Sequence, residues 1–258
     1  MKLRIAQDAR PQVRTLLLAT LLTFALWFIP YASILAYPFR LFVTFIHEGG
    51  HALATLLTGN TVQSLSVAMD TSGLVESHIT QGGLLSQVFF LSAGYLGAIL
   101  FGALLLMLVR RTVAARIVLI GSGVFVLALT LIYGLFVPLA NFKLSPFTVI
   151  AGVAISAGLL AAAKYAGPRA ASFLVGFLAV QCVLNAVFDL KDVLFMAVAS
   201  GAQTDAMSLA RVTGIPAMFW ALAWIGLGFV VLSAALRAYA VRRSPSQPDL
   251  PFEDPLEV

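Results

Sequence analysis

Charge is what this chain of 258 residues has little of: Asp, Glu, Lys and Arg make up 10% of it, against 60% hydrophobic residues. Soluble domains carry about 25% charged residues, so an ordinary water-soluble globule is excluded. Cys182 is the one cysteine, which rules out an intrachain disulfide and a Cys-rich zinc site. Lys and Arg outnumber Asp and Glu by 16 to 11. They lie between apolar runs rather than along one stripe, which marks membrane topology and argues against a nucleic-acid partner.

What is present is a series of apolar runs long enough to span a bilayer, which takes about 20 residues. The first, Thr15–Tyr37, follows a short basic segment, residues 1–14, and lacks a small-residue cleavage site. It is expected to be a retained span, kinked at Pro30, rather than a removed signal. Leu41–Thr58 follows, then the longest polar stretch, Gly59–Ser86. There the alternation over Val62–Val67 and the turn residues Asp70–Gly73 predict a short β-hairpin. Gln87–Val109, Ile117–Leu139, Phe147–Lys164, Ala170–Leu190 and Ile215–Ala240 are further expected spans. Gly94, Ala98 and Gly102 form a small-residue ridge on one of them, suited to tight helix packing. A polar connector carrying Asp205 precedes Gly214. The expected organisation is one integral membrane domain, residues 15–240, between a basic cytoplasmic amino terminus, 1–14, and a disordered Pro-rich acidic tail, 241–258.

If all seven runs cross, Lys and Arg divide 7 against 9, which sets no orientation. If the Leu41–Thr58 segment enters and returns, they divide 12 against 4, with both termini, Arg110–Arg116 and Lys164–Arg169 cytoplasmic. The fold class read from this is an all-α polytopic membrane protein with about six transmembrane helices. A half-inserted helix and a short β-hairpin are added to them.

That half-inserted segment carries His47-Glu48-Gly49-Gly50-His51. Positions i and i+4 of a helix share a face, about 6 Å apart along the axis, so both imidazoles can reach one metal ion. Zinc suits two neutral imidazoles and a carboxylate, with a position left for water. Glu48, beside the first ligand, is then the general base. Three ionisable groups within five residues of a lipid-embedded segment are costly and call for a function. The bland alternative is a polar cavity between helices. Gly49 and Gly50 let another backbone approach the histidines closely.

The metal-capable side chains outside the motif and the two ends are Asp70, Glu76, His78, Cys182, Asp189, Asp192 and Asp205. The longer HExxHxxGxxH pattern is absent, with Ala54 and Leu57 at its last two positions. His78 reads as a solvated loop histidine. Cys182, Asn185, Asp189 and Asp192 lie along one helical face that should point into the protein. Asp189 is therefore the expected third ligand, with Asp192 as the alternative one turn further out. Asn185 is a candidate to position a ligand or bind a substrate backbone.

The embedded HEGGH and the following hairpin resemble the site-2-protease-type intramembrane zinc metallopeptidases, and in particular their B-like branch. The likeness extends through Ala93-Gly94-Tyr95-Leu96-Gly97, the Leu184–Asp192 segment, Thr204-Asp205-Ala206, Gly214–Pro216 and Trp220, from about Phe39 to Leu232. Asn185 and Asp189 are four residues apart, without the proline and glycine of the better-known site-2 proteases. The resemblance implies zinc at His47 and His51, Glu48 as general base, and hydrolysis of membrane-embedded protein or peptide substrates. The implied setting is the plasma membrane of a prokaryote. The Val62–Val67 strand is expected to hold an unwound substrate by strand addition. Two other function classes use the same polar cluster: a non-proteolytic membrane scaffold, and an ion- or proton-coupled transporter.

Overall fold

A computed structural model describes residues 10–29, 33–78, 80, 82–110, 115–196 and 204–240. The amino-terminal segment 1–9 and the tail 241–258, with the cytoplasmic and disordered character expected of them, lie outside the described residues.

Helix α1 (Arg10–Phe28) takes the first apolar run and α2 (Ser33–Leu57) the HEGGH segment. The expected first span ran on to Tyr37, whereas α2 opens at Ser33 and carries Pro38 near its start. A proline so early loses few helical hydrogen bonds. Strands β1 (Thr61–Val67) and β2 (Gly73–His78) form the expected antiparallel hairpin. Its register irregularity falls between Val62 and Ser64. Then come α3 (Gly83–Arg110), α4 (Ala115–Leu129), a π-helical stretch Thr130–Phe136, α5 (Val137–Ala140), α6 (Pro146–Tyr165) and α7 (Pro168–Met196). The polar connector before Gly214 is itself a helix, α8 (Asp205–Thr213), and α9 (Ala217–Ala240) follows it. Among the described residues five helices are long and apolar enough to cross a membrane: Gly83–Leu108, Ala115–Ala140, Pro146–Tyr165, Pro168–Ala186 and Ala217–Ala235.

Glycines bring α2 and α3 together. A Cβ on Gly50 would collide with the Ala93 carbonyl, and one on Gly97 would lie 3.2 Å from the Gly50 Cα. His51 meets Phe90, His47 meets Tyr95 and Phe42 meets Phe101, so the two helices run antiparallel. Gly102 performs the same service against α7, where its Cβ would stand 2.9 Å from the Ala179 carbonyl oxygen. The expected small-residue ridge thus packs helices on two sides. Phe42, Phe45, Leu65, Ile99, Leu105, Leu119 and Leu178 form the buried centre around these contacts.

The hairpin folds back along α2. Asn60, just before β1, reaches Ser86 near the start of α3. At the far end Tyr37 Oη donates to the Met69 carbonyl at 2.7 Å, and Thr44 Oγ1 donates to the Thr71 carbonyl at 2.8 Å. The outer edge of β1 is occupied at Val67, whose N–H donates to Thr148 Oγ1 at 2.9 Å, while that hydroxyl donates to the Val67 carbonyl at 3.1 Å. An exposed ion pair at 2.8 Å, Lys143 with Glu76, ties the loop before α6 to β2.

Candidate metal centre

The helical spacing of His47 and His51 brings their Nε2 atoms within 3.1 Å of each other. The third member of the cluster arrives from α8. Thr204 caps that helix, its side chain accepting from the Met207 N–H, and Asp205 occupies the first helical position. A carboxylate suits the positive end of the helix dipole. Asp205 Oδ2 lies 3.2 Å from the Nε2 of each histidine. Burial opposes the Asp205 charge, but the positive charge of His51 and hydrogen bonds from both imidazoles outweigh it. They hold the carboxyl well below its ordinary range. Among the described residues His47, His51 and Asp205 are the group whose ligand atoms converge, all within 4.8 Å.

This donor set fits a zinc ion. Tetrahedral bonds of about 2.0–2.1 Å put donor atoms about 3.3–3.4 Å apart, close to the three separations of 3.1, 3.2 and 3.2 Å. His51 Nδ1 donates to the Phe90 carbonyl at 2.8 Å, so that in the neutral ring the lone pair is on Nε2 and turned to a ligand. Gly94 supplies the space: a Cβ there would overlap both Nε2 atoms. Tyr95 stands edge-on to the His47 ring at 4.6 Å and stacks on Trp224 of α9 at 5.2 Å. The ring orientation of His47 is thereby built from three helices.

Glu48 lies outside the converging group, and only 5% of it is exposed. The start of β2 covers it: a Cβ on Gly73 would press on its Oε1, and on Cδ and Cγ at 2.7 Å. Gly73 is absent from the positive-φ residues, so closeness to Glu48, not backbone conformation, accounts for the glycine. Both residues line a cavity of about 760 Å³ with His47, His51, Asn185 and Asp205.

Of the sequence-predicted residues, the structure brings His47, Glu48, His51 and Asn185 to one cavity. Asn185 is 9% exposed, and its Nδ2 is buried with no hydrogen-bond partner among the described residues. The side chains of Asp189 and Asp192 lie outside the described residues. The carboxylate that meets the histidines is Asp205, from the same candidate set. His78 pairs with Thr61 at the other end of the hairpin, and Cys182 is buried in packing beneath Gly102. A signal for Asp205 exists in Thr204-Asp205, a cap followed by a carboxylate. It marks a helix start, not the place where that helix docks.

A family model described as Peptidase M50B-like matches residues 17–235. No curated protein and no solved structure gives a match.

Proposed function

The chain belongs to the Peptidase M50B-like family, and from that premise we propose that it is an intramembrane zinc metalloprotease of membrane-embedded substrates, working in the plasma membrane of a prokaryote. Membership implies a metallopeptidase, and the five apolar helices make it an integral membrane protein. One observation carries the finer reading: His47, His51 and Asp205 converge in a cavity that also holds the buried carboxylate of Glu48.

His47, His51 and Asp205 would hold the zinc, and the chemistry it would supply is that of a Lewis acid, polarising a carbonyl and lowering the pKa of water from about 15.7 towards about 7. Glu48 takes a proton from the water as its oxygen attacks the peptide carbonyl carbon. It then gives that proton to the leaving nitrogen as the C–N bond breaks. Asn185 lines the same cavity, and a shift of its buried Nδ2, unpartnered among the described residues, would let it donate to the substrate carbonyl, where one such hydrogen bond is worth about 10²–10³ in rate. A substrate helix must unwind first, because its own hydrogen bonds shield the peptide bond. The strand suited to receive it is β2 rather than the expected β1. Thr148 occupies the edge of β1, while Gly73, Leu74 and Val75 of β2 line the cavity. In an antiparallel pair alternate residues turn their N–H and C=O outward, ready for a further strand.

The test is cleavage of co-reconstituted transmembrane substrates, drawn from membrane proteins that accumulate when Glu48→Gln replaces the wild type. Glu48→Gln is expected to keep its zinc and lose about 10²–10⁴ in rate. Cleavage at the wild-type rate would remove Glu48 from the mechanism. Zinc without turnover in the wild type would support a scaffold, and proton-coupled flux without metal a transporter.

A further inference from the structure

Arg40 stands near the start of helix α2, just before the apolar run Leu41–Thr58, and its exposed side chain lines the same cavity as the metal centre. A cation at the edge of an embedded segment, beside a cavity, is suited to an anionic partner there. The cavity offers the space, but among the described residues no carboxylate pairs with Arg40. The carboxylates lining the cavity are engaged elsewhere. Asp70 Oδ1 accepts from the Ser72 N–H at 2.9 Å and from its hydroxyl at 2.6 Å. Asp205 faces both histidines and Glu48 lies under Gly73.

Helix spacing sets Arg40 relative to the chemistry. Thr44, His47 and His51 follow it at intervals of four, seven and eleven residues, which keeps all four on one side of α2. Seven residues at about 1.5 Å each separate Arg40 from His47 by about 10 Å along the axis. An extended peptide covers that distance in about three residues at roughly 3.3 Å each. The arginine fork binds carboxylates with two parallel hydrogen bonds.

We propose that Arg40 is a carboxylate-recognition subsite, binding an anionic group of the substrate about three residues from the bond that is cut. The group is either the free carboxyl terminus of a peptide or an Asp or Glu side chain. This rests on the peptidase reading of the metal centre and names the substrate chemistry that centre accepts.

The experiment uses the full chain, zinc-loaded and in nanodiscs, with one apolar peptide as its free acid and as its carboxyl-terminal amide. A second pair carries an internal Asp or Asn three residues from the cut. Cleavage products are identified by mass spectrometry. Binding of each peptide is titrated separately on Glu48→Gln protein. The charged member of at least one pair is expected to bind about ten- to a hundred-fold more tightly, and to be cut about three residues from its carboxylate. Which pair discriminates says whether the terminus or a side chain is recognised. Arg40→Gln is expected to bring that ratio close to one through KM, and Arg40→Lys to restore part of it. Equal binding within both pairs, or a ratio that survives Arg40→Gln, overturns the proposal. Binding that follows anionic lipid and not peptide charge would assign Arg40 to a headgroup and overturn it too. Discriminating binding without any cleavage would leave the subsite standing and remove the peptidase reading.

Discussion

Two glycines next to the ionisable groups separate metal binding from proton transfer. A Cβ on Gly94 would enter the space between His47 Nε2 and His51 Nε2, whereas one on Gly73 would press on the Glu48 carboxylate. Gly94→Ala is therefore expected to lower zinc content several-fold. Gly73→Ala should keep the metal and lose at least ten-fold in kcat, because it displaces the base alone. Zinc content and single-turnover rates of both variants check this, with Gly121→Ala, whose Cβ would meet nothing, as control. Equal zinc loss in both would mean that Gly73 supports the ligands as well. At this scale His47 and His51 are legible because i and i+4 positions of a helix fix their own geometry, and Glu48 because it adjoins the first of them. Asp205 is not, because it meets His47 across 158 positions of chain. The polar stripe on α7 points to Asp189, whose side chain lies outside the described residues; helical periodicity is local and docking is not.

The hairpin is the element that turns a metal site into a cleft. Its alternation, Val62 to Val67, made the strands readable, and the turn residues located the reversal near Asp70. Its course back along α2 was not readable. That course depends on single hydroxyls: Tyr37 and Thr44 on the turn, and Thr148 on β1. Thr148→Val removes both hydrogen bonds to Val67, each worth about 1 kcal/mol. It leaves the buried Val67 N–H without this acceptor. The expected result is a lower thermal midpoint in detergent and slower cleavage with zinc retained. A wild-type rate in this variant would show that β1 needs no anchor on α6. The helix Asp205–Thr213 was read only as a polar connector, although Thr204 and Gly214 bound it with ordinary capping chemistry. Its nine residues, too few to span a bilayer, hid it beside the long spans.

For the whole molecule, composition alone separates a membrane protein from a soluble one, and the expected later spans coincide with the long helices. The orientation rests on charge. Arg116 donates to the Ala166 carbonyl at 3.0 Å, which joins the α4 start to the α6–α7 loop, while Lys143 and Glu76 join the α5–α6 loop to the hairpin. Cysteines introduced at Thr112 and Gly167 are accordingly expected to be labelled from the cytoplasmic side, and one at Asn141 from the opposite side. Labelling of all three from one side would contradict the arrangement of α4 and α6 as spans.

The measurement that bears most directly on the account is the zinc content of the purified chain and of single-ligand variants, by elemental analysis. About one zinc per chain is expected in the wild type. It should be lost in His47→Ala, His51→Ala and Asp205→Asn, and kept in His78→Ala and Asp189→Asn. Full zinc in Asp205→Asn together with its loss in Asp189→Asn would contradict the centre described here.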